Sequence, residues 1–149
     1  LMSEAGCPGV ADPGANLVRL AHGKGIRVAP LVGPSSILLA LMAAGASGQQ
    51  FRFNGYLPAQ DPARIETIRR LEADSRKHKQ AEIFIETPYR NPALFAALLA
   101  ACRPETQLTV ARDLTLPEEY ICSQTIATWK KTASPELNKR PAVFVLFAA

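Results

Sequence analysis

At 149 residues, 48% hydrophobic and 20% charged, the chain has the composition of a globular protein with one good core or two small lobes. No apolar run approaches the ~18 residues that cross a bilayer, since a run such as residues 37–44 stops at Gly45, and no signal-peptide pattern stands near the start. The net charge of +4 is compatible with an anionic partner such as RNA, although solvated basic helix faces account for it more simply.

In chain order, the first two residues read as the end of something cut short. "SEAGCPGVADPG" at residues 3–14 is then a loop dense in glycine and proline. "ANLVRLAH" has helical spacing, and "GKG" closes that helix. "IRVAPLV", residues 26–32, is a β-branched run of strand length. Pro34 and Ser35 of "GPSS" suit a helix start, and "ILLALMAAG", apolar nearly all round, predicts a buried helix.

"ASGQQ" breaks the composition at residues 46–50 and sets a boundary between a first lobe, residues 1–47, and a second, residues 48–149. "FRFNGYLP" predicts a strand stopped by Pro58, and Asp61-Pro62 opens a helix through "ARIETIRRLEADSRKHKQ". "AEIFIET" predicts a buried strand and "NPALFAALLAAC" a helix with Pro92 in its first turn. "QLTVARDL" reads as a strand, "EEYICSQTIATWKK" as one long strand or a strand pair, and "RPAVFVLFA" as a last apolar strand. The expected fold is α/β and two-lobed, the second lobe being a mixed sheet with helices packed on it.

Three loops follow expected strands: "SEAGCPG", "VGPSS" and "ETPYRN". In open α/β sheets ligands bind beyond the carboxyl ends of strands, so these loops are the candidates. Gly6 and Gly9 allow close backbone approach, and Ser35 and Ser36 offer hydroxyls and amides at a helix start. Any one such loop is equally plain turn chemistry. "SEAGCPG" is not GxGxxG and lacks the P-loop lysine, which argues against a dinucleotide or a nucleoside triphosphate.

Cys7, Cys102 and Cys122 form no CxxC, and with His22 and His78 they make no metal-ligand pattern, so no metal is expected. Cys102 and Cys122 read as core thiols, which fits a reducing cytoplasm. Asp113, Glu118 and Glu119 are available as acids or bases, though strand-end acids are far more often capping groups. The residues by themselves lead to a cleft of strand-end loops and to no reaction.

Taken together, the loops resemble a family. The stretch from "SEAGCPGVADPG" to "LVGPSSILLALMAAG" resembles the second half of the first domain of tetrapyrrole (corrin/porphyrin) methylases. It is most similar to the branch that methylates the ribose 2′-hydroxyl of a 16S rRNA cytidine, with its S-D-A-G-T-P-G-I-S-D-P-G stretch and G-P-S-A loop. Glu4, Cys7, Ala11 and Ser36 stand where that branch has Asp, Thr, Ser and Ala. "FRFNGYLP" resembles its strand ending in G-F-L-P, "IFIETPYR" its I-F-Y-E-S-P-H-R, and "ARDLTLPEEY" its A-R-E-L-T-K with a following acidic pair; "RPAVFVLFA" matches the closing strand. The likeness covers essentially the whole chain, in order. Two departures stand out. Nothing corresponds to the family's opening strand and G-x-G-x-G-D loop, so the chain resembles an excised or processed part of a longer methyltransferase. Leu116 stands where the rRNA branch has lysine.

The resemblance implies a two-lobed class III methyltransferase fold with its first lobe incomplete, and S-adenosylmethionine as cofactor in a cleft between the lobes. Ala5, Gly6, Cys7, Val10 and Ala11 would line one wall, and Ser35 and Ser36 would meet the methionine or ribose part. Phe84, Ile85, Ala111, Pro141 and Ala142 would approach the adenosine; Arg90 and Arg112 would hold phosphate or the acceptor, and Glu86 is a candidate base. Rather blandly, Phe84 and Ala111 could be core, Arg112 could pair with Asp113 or Glu119, and Pro141 could begin an edge strand. The implied partners are rRNA or the small ribosomal subunit and a second copy of the chain, in the cytoplasm, with no membrane and no metal. Competing functions are a methyltransferase for a tetrapyrrole or other small molecule, and a non-catalytic binding or dimerisation piece.

Overall fold

Five strands form one mixed sheet in the computed structural model, which describes residues 1–2 and 7–149. The expected wall residues Ala5 and Gly6 lie outside the described residues. The strands are β1 (Phe51–Tyr56), β2 (Ala81–Ile85), β3 (Gln107–Arg112), β4 (Tyr120–Thr125) and β5 (Ala142–Phe147), in the order β1-β2-β5-β3-β4. Only β1 and β2 pair parallel; β5 is antiparallel to both β2 and β3, and β4 is antiparallel to β3. The carboxyl ends of β1, β2 and β3 therefore share one edge of the sheet with the start of β5.

The pleat of β5 sorts the core into two faces, because successive side chains point to opposite sides. Phe144 and Leu146 join Phe84, Leu108 and Val110 beneath α3 (Asp61–His78) and α4 (Asn91–Ala101). Val143 and Val145 join Ala81, Ile83 and Ala111 beneath α2 (Ser36–Ala44). The strand that reads as apolar throughout is thus central, with helices on both faces. Pro141 precedes a central strand, not an edge strand.

Local chemistry explains the helices. Pro62 and Pro92 occupy the first turns of α3 and α4, where a missing N–H costs nothing. Arg76, Lys77 and His78 sit in the last turn of α3, favourable for the helix dipole, and Lys79 closes it in the left-handed conformation. Gly45, at φ 70, ends α2 in the same way. The carboxyl end of α2 is pinned to the sheet, since the Ser123 hydroxyl donates to the Ala44 carbonyl at 3.0 Å and is itself bonded to Thr109.

Three expectations need correction. Residues 26–32 are not a strand: they pair with no other strand among the described residues, Pro30 removes a ladder donor, and Leu31 and Val32 are 92% and 101% exposed. Helix α2 is buried on one face only. Ile37, Ala40, Leu41 and Ala44 pack on the sheet while Leu38 and Met42 face outward.

The third correction is at residues 118–131. Strand β4 ends at Thr125, whose hydroxyl accepts the Thr128 amide and starts the short helix α5 (Ile126–Trp129). This turn sends Trp129 into the core, where its Nε1 donates to the Leu108 carbonyl at 2.8 Å and its ring meets Phe95 edge-on. Helix α1 (Ala15–Gly23) forms as the sequence suggests but buries none of its residues.

Candidate functional site

The register of the sheet assembles the second-lobe candidates. Ile85 pairs with Val143, Val143 with Ala111, and Ala142 with Arg112. Ile85, Ala111, Arg112, Pro141 and Ala142 therefore meet at the shared carboxyl end of β2 and β3, with Glu86 and Arg90 in the loop that follows β2.

Charges at this end are interlocked. Arg90 Nη2 lies 2.9 Å from the buried Glu86 Oε1, which also accepts the Thr87 amide at 2.7 Å. Beside β3, Asp113 Oδ2 takes Arg112 Nη1 at 2.7 Å and Arg140 Nη1 at 3.5 Å, so Arg112 does pair with its neighbour. Glu119 instead accepts the Thr115 amide. The guanidinium of Arg112 lies over the Tyr120 ring, and that of Arg90 over Tyr89. Burial, together with a side-chain hydrogen bond to Cys122, raises the Tyr120 pKa. Three guanidiniums, of Arg90, Arg112 and Arg140, face the two buried carboxylates of Glu86 and Asp113.

Not every donor here is used. The Nε atoms of Arg90 and Arg112 and the Oδ1 of Asn91 are buried and have no hydrogen-bond partner. Such groups are expensive to leave unmet, and two donors and an acceptor stand unmet at this one sheet edge. The loop after β3 adds strain. Asp113 and Thr115 hold φ of 51° and 69°, a region uncommon for residues with side chains. The Asp113 amide donates to the Pro141 carbonyl, which ties that strained turn to the start of β5.

The first-lobe candidates lie apart in sequence but are partly drawn together. Cys7 Sγ lies 3.3 Å from the Pro34 carbonyl, which joins the opening loop to the residue before Ser35. Ser35 caps α2 in an extended conformation without a side-chain bond to the helix, so its hydroxyl and the first amides of α2 are open to a ligand. Val10 and Ala11 are exposed on their loop, Ala11 at φ 55.

Several roles need to be reassigned. The ring of Phe84 is fully buried and stacks on Phe144, and Ala111 is equally buried, so these positions offer a ligand only their backbone. Glu86 is held by Arg90 and the Thr87 amide, which makes it an orienting group for Arg90 instead of a free base. Cys102 is a core thiol as expected, its pKa pushed up to about 12 chiefly by burial and further by Glu72, while Cys122 is only half-buried. Sequence reasoning passed over Arg140 and Asn91. Asn91 Nδ2 donates to the Arg140 carbonyl at 2.7 Å, so the two act as one brace. The signal available was the Arg-Pro pair that opens the last strand.

Among the described residues no group of His, Cys, Asp and Glu could hold a metal ion. Among the described residues no helix is long and apolar enough to cross a membrane.

No protein-family model matches the chain. The chain is 35% identical over 146 residues to the ribosomal RNA small subunit methyltransferase I of Xylella fastidiosa, covering 98% of this chain and 52% of that protein. It is also 35% identical over 145 residues to the protein of the same name from Neisseria meningitidis serogroup B, covering 97% and 48%. The chain spans about half the length of the curated relatives it matches. Among solved structures, the methyltransferase CobJ superposes with a TM-score of 0.58 at 21% identity, over 98% of this chain and 68% of that one. The chain is therefore a relative of these rRNA methyltransferases and carries the α/β fold of the tetrapyrrole methylases.

Proposed function

We propose that this protein is an S-adenosylmethionine-dependent methyltransferase whose acceptor is a ribose 2′-hydroxyl of small-subunit rRNA. The observation that carries the reading is the pair of unpartnered guanidinium Nε atoms of Arg90 and Arg112 at the carboxyl edge of β2 and β3. Arginine with unused donors in a partly water-excluded site is suited to a phosphate of the nucleic-acid backbone. The relatives named for rRNA methylation support the same acceptor class.

The residues present fit the cofactor. The two buried carboxylates at this edge, Glu86 and Asp113, are each neutralised by arginine, so neither is left free to trap a sulfonium. Ser35 and the open amides of α2 suit a carboxylate, and the backbones of Ile85, Ala111, Pro141 and Ala142 suit an adenosine. Cys7, Val10 and Ala11 complete the wall in this reading. When bound, S-adenosylmethionine supplies a methyl group on positively charged sulfur. The chain's own task is alignment, because an in-line displacement depends mainly on holding donor and acceptor in register. Arg112 and Arg90 hold the acceptor's phosphates. Glu86 fixes Arg90, and the strained Asp113 turn fixes Arg112 and Arg140. The ribose hydroxyl must still lose its proton, and with Glu86 occupied that proton passes to a neighbouring phosphate or to water.

A cytoplasmic setting and a homodimer belong to the same reading. The three free cysteines support the first, and the exposed apolar side chains of Leu17, Leu20, Leu31 and Val32 support the second. Ribose-methylation mapping of small ribosomal subunits from cells lacking the gene tests the function. One methylation is expected to disappear. An unchanged map removes the RNA reading and leaves a small-molecule acceptor such as a tetrapyrrole.

A further inference from the structure

At the opposite end of the sheet, α3 and the end of α4 enclose a cleft of about 260 Å³ lined by Arg69, Glu72, Ala73, Arg76, Ala101 and Arg103. Positions 69, 72, 73 and 76 follow helical spacing, so one face of α3 forms one wall. The acid in this cleft is already used. Glu72 is buried and accepts the Arg103 amide at 2.8 Å together with the Thr106 hydroxyl, which fixes the turn carrying Arg103 against α3.

The arginines, in contrast, are free or nearly so. Among the described residues the exposed side chains of Arg69 and Arg103 form no ion pair. Arg76 Nε donates to the Ala149 carbonyl at 3.5 Å, and its Nη2 lies 3.6 Å from the exposed Glu105 without a hydrogen bond. Lys130, on the far side of the turn, is close enough for its charge to act on Cys102 beside the cleft. Three arginines lining a pocket of this size, two of them without an ion pair, suit a single oxyanion.

We propose that the cleft formed by Arg69, Arg76 and Arg103 is a backbone-phosphate subsite for RNA, separate from the sheet edge where the acceptor ribose sits. The proposal rests on the reading of RNA as substrate. Arg103 stands just before the start of β3 and Arg112 at its end, so the two are separated by at least the ~17 Å length of a six-residue strand. A short RNA stem spans that distance and can be held at both points. The subsite contributes grip without base recognition, because phosphate contacts position the nucleic acid and do not read it.

The test is fluorescence anisotropy of a labelled stem-loop RNA of about 20 nucleotides, titrated over a range of salt. Three proteins are compared: the unaltered chain, Arg69→Gln with Arg103→Gln, and Lys24→Gln with Arg27→Gln as an equal charge loss elsewhere. The cleft variant removes side chains that hold nothing in the fold, and a thermal melt verifies that it is folded. It is expected to bind about tenfold more weakly, with the slope of log K against log salt reduced by roughly 1.5–2. The control should retain most of the unaltered slope. An unchanged slope in the cleft variant, or an equal loss in the control, overturns the subsite and leaves the RNA reading intact. Absence of RNA binding at low salt by all three proteins overturns both.

Discussion

Residues 48–149 and residues 1–47 are built on opposite terms. The sheet of the larger part buries its central strands β2, β5 and β3 on both faces, down to a fully enclosed Phe84–Phe144 stack, and Trp129 closes one end of the core. The smaller part contributes one helix, α2, to that core, and its other helix buries nothing. Both parts are equally apolar to the eye, so hydrophobicity alone does not make a core. A run such as "IRVAPLV" becomes a strand only when another strand completes its ladder, and a helix becomes buried only where a face is offered to it.

The largest effects should follow that division. Phe144→Ala is expected to cost about 3–5 kcal/mol in urea denaturation, whereas Leu20→Ala in α1 should stay within about 0.5 kcal/mol. A large loss at Leu20 would mean that α1 is covered in solution. Next comes the charge cluster. Asp113→Ala strands Arg112 and Arg140 beside each other and should cost about 2–3 kcal/mol, less than a fully buried pair because the arginines are partly solvated. Arg140→Gln, which leaves the Arg112 pair in place, should cost less than half of that.

A smaller effect appears at high pH. Cys102 keeps its proton in the folded state well above the ordinary thiol value of 9.0, so its contribution is intact below pH 9 and is lost as pH rises from there toward about 12. Between about pH 8 and 10 the chain should lose on the order of 1 kcal/mol that Cys102→Ala does not lose, measured as the difference between their denaturation midpoints. Alkylation offers a companion test: native Cys7 and Cys122 should react with iodoacetamide before Cys102 does.

How much of this was legible in the sequence depended on what each element needed. β1, β2, β3, β5, α3 and α4 carry their own periodicity, length and proline or glycine stops, and were read correctly. α5 was hidden because Thr125 and Trp129 suit a strand equally well; only the core position waiting for the indole decides between them. At the site, Arg90, Arg112, Pro141 and Glu86 were named from loop likeness, but their union depends on β5 lying between β2 and β3, a register that no local pattern encodes. Asn91 and Arg140 were passed over for that reason, being 49 residues apart and meeting only through one hydrogen bond.

The central claim is that the unpartnered Nε donors of Arg90 and Arg112 receive the RNA acceptor. Arg90→Lys with Arg112→Lys retains both positive charges and their carboxylate partners but removes both Nε atoms. Methyl transfer from labelled S-adenosylmethionine to small-subunit rRNA should then show kcat/KM reduced at least tenfold, with affinity for S-adenosylhomocysteine within about twofold of the unaltered protein. Transfer at the unaltered rate, or a loss confined to S-adenosylhomocysteine affinity, would contradict the account.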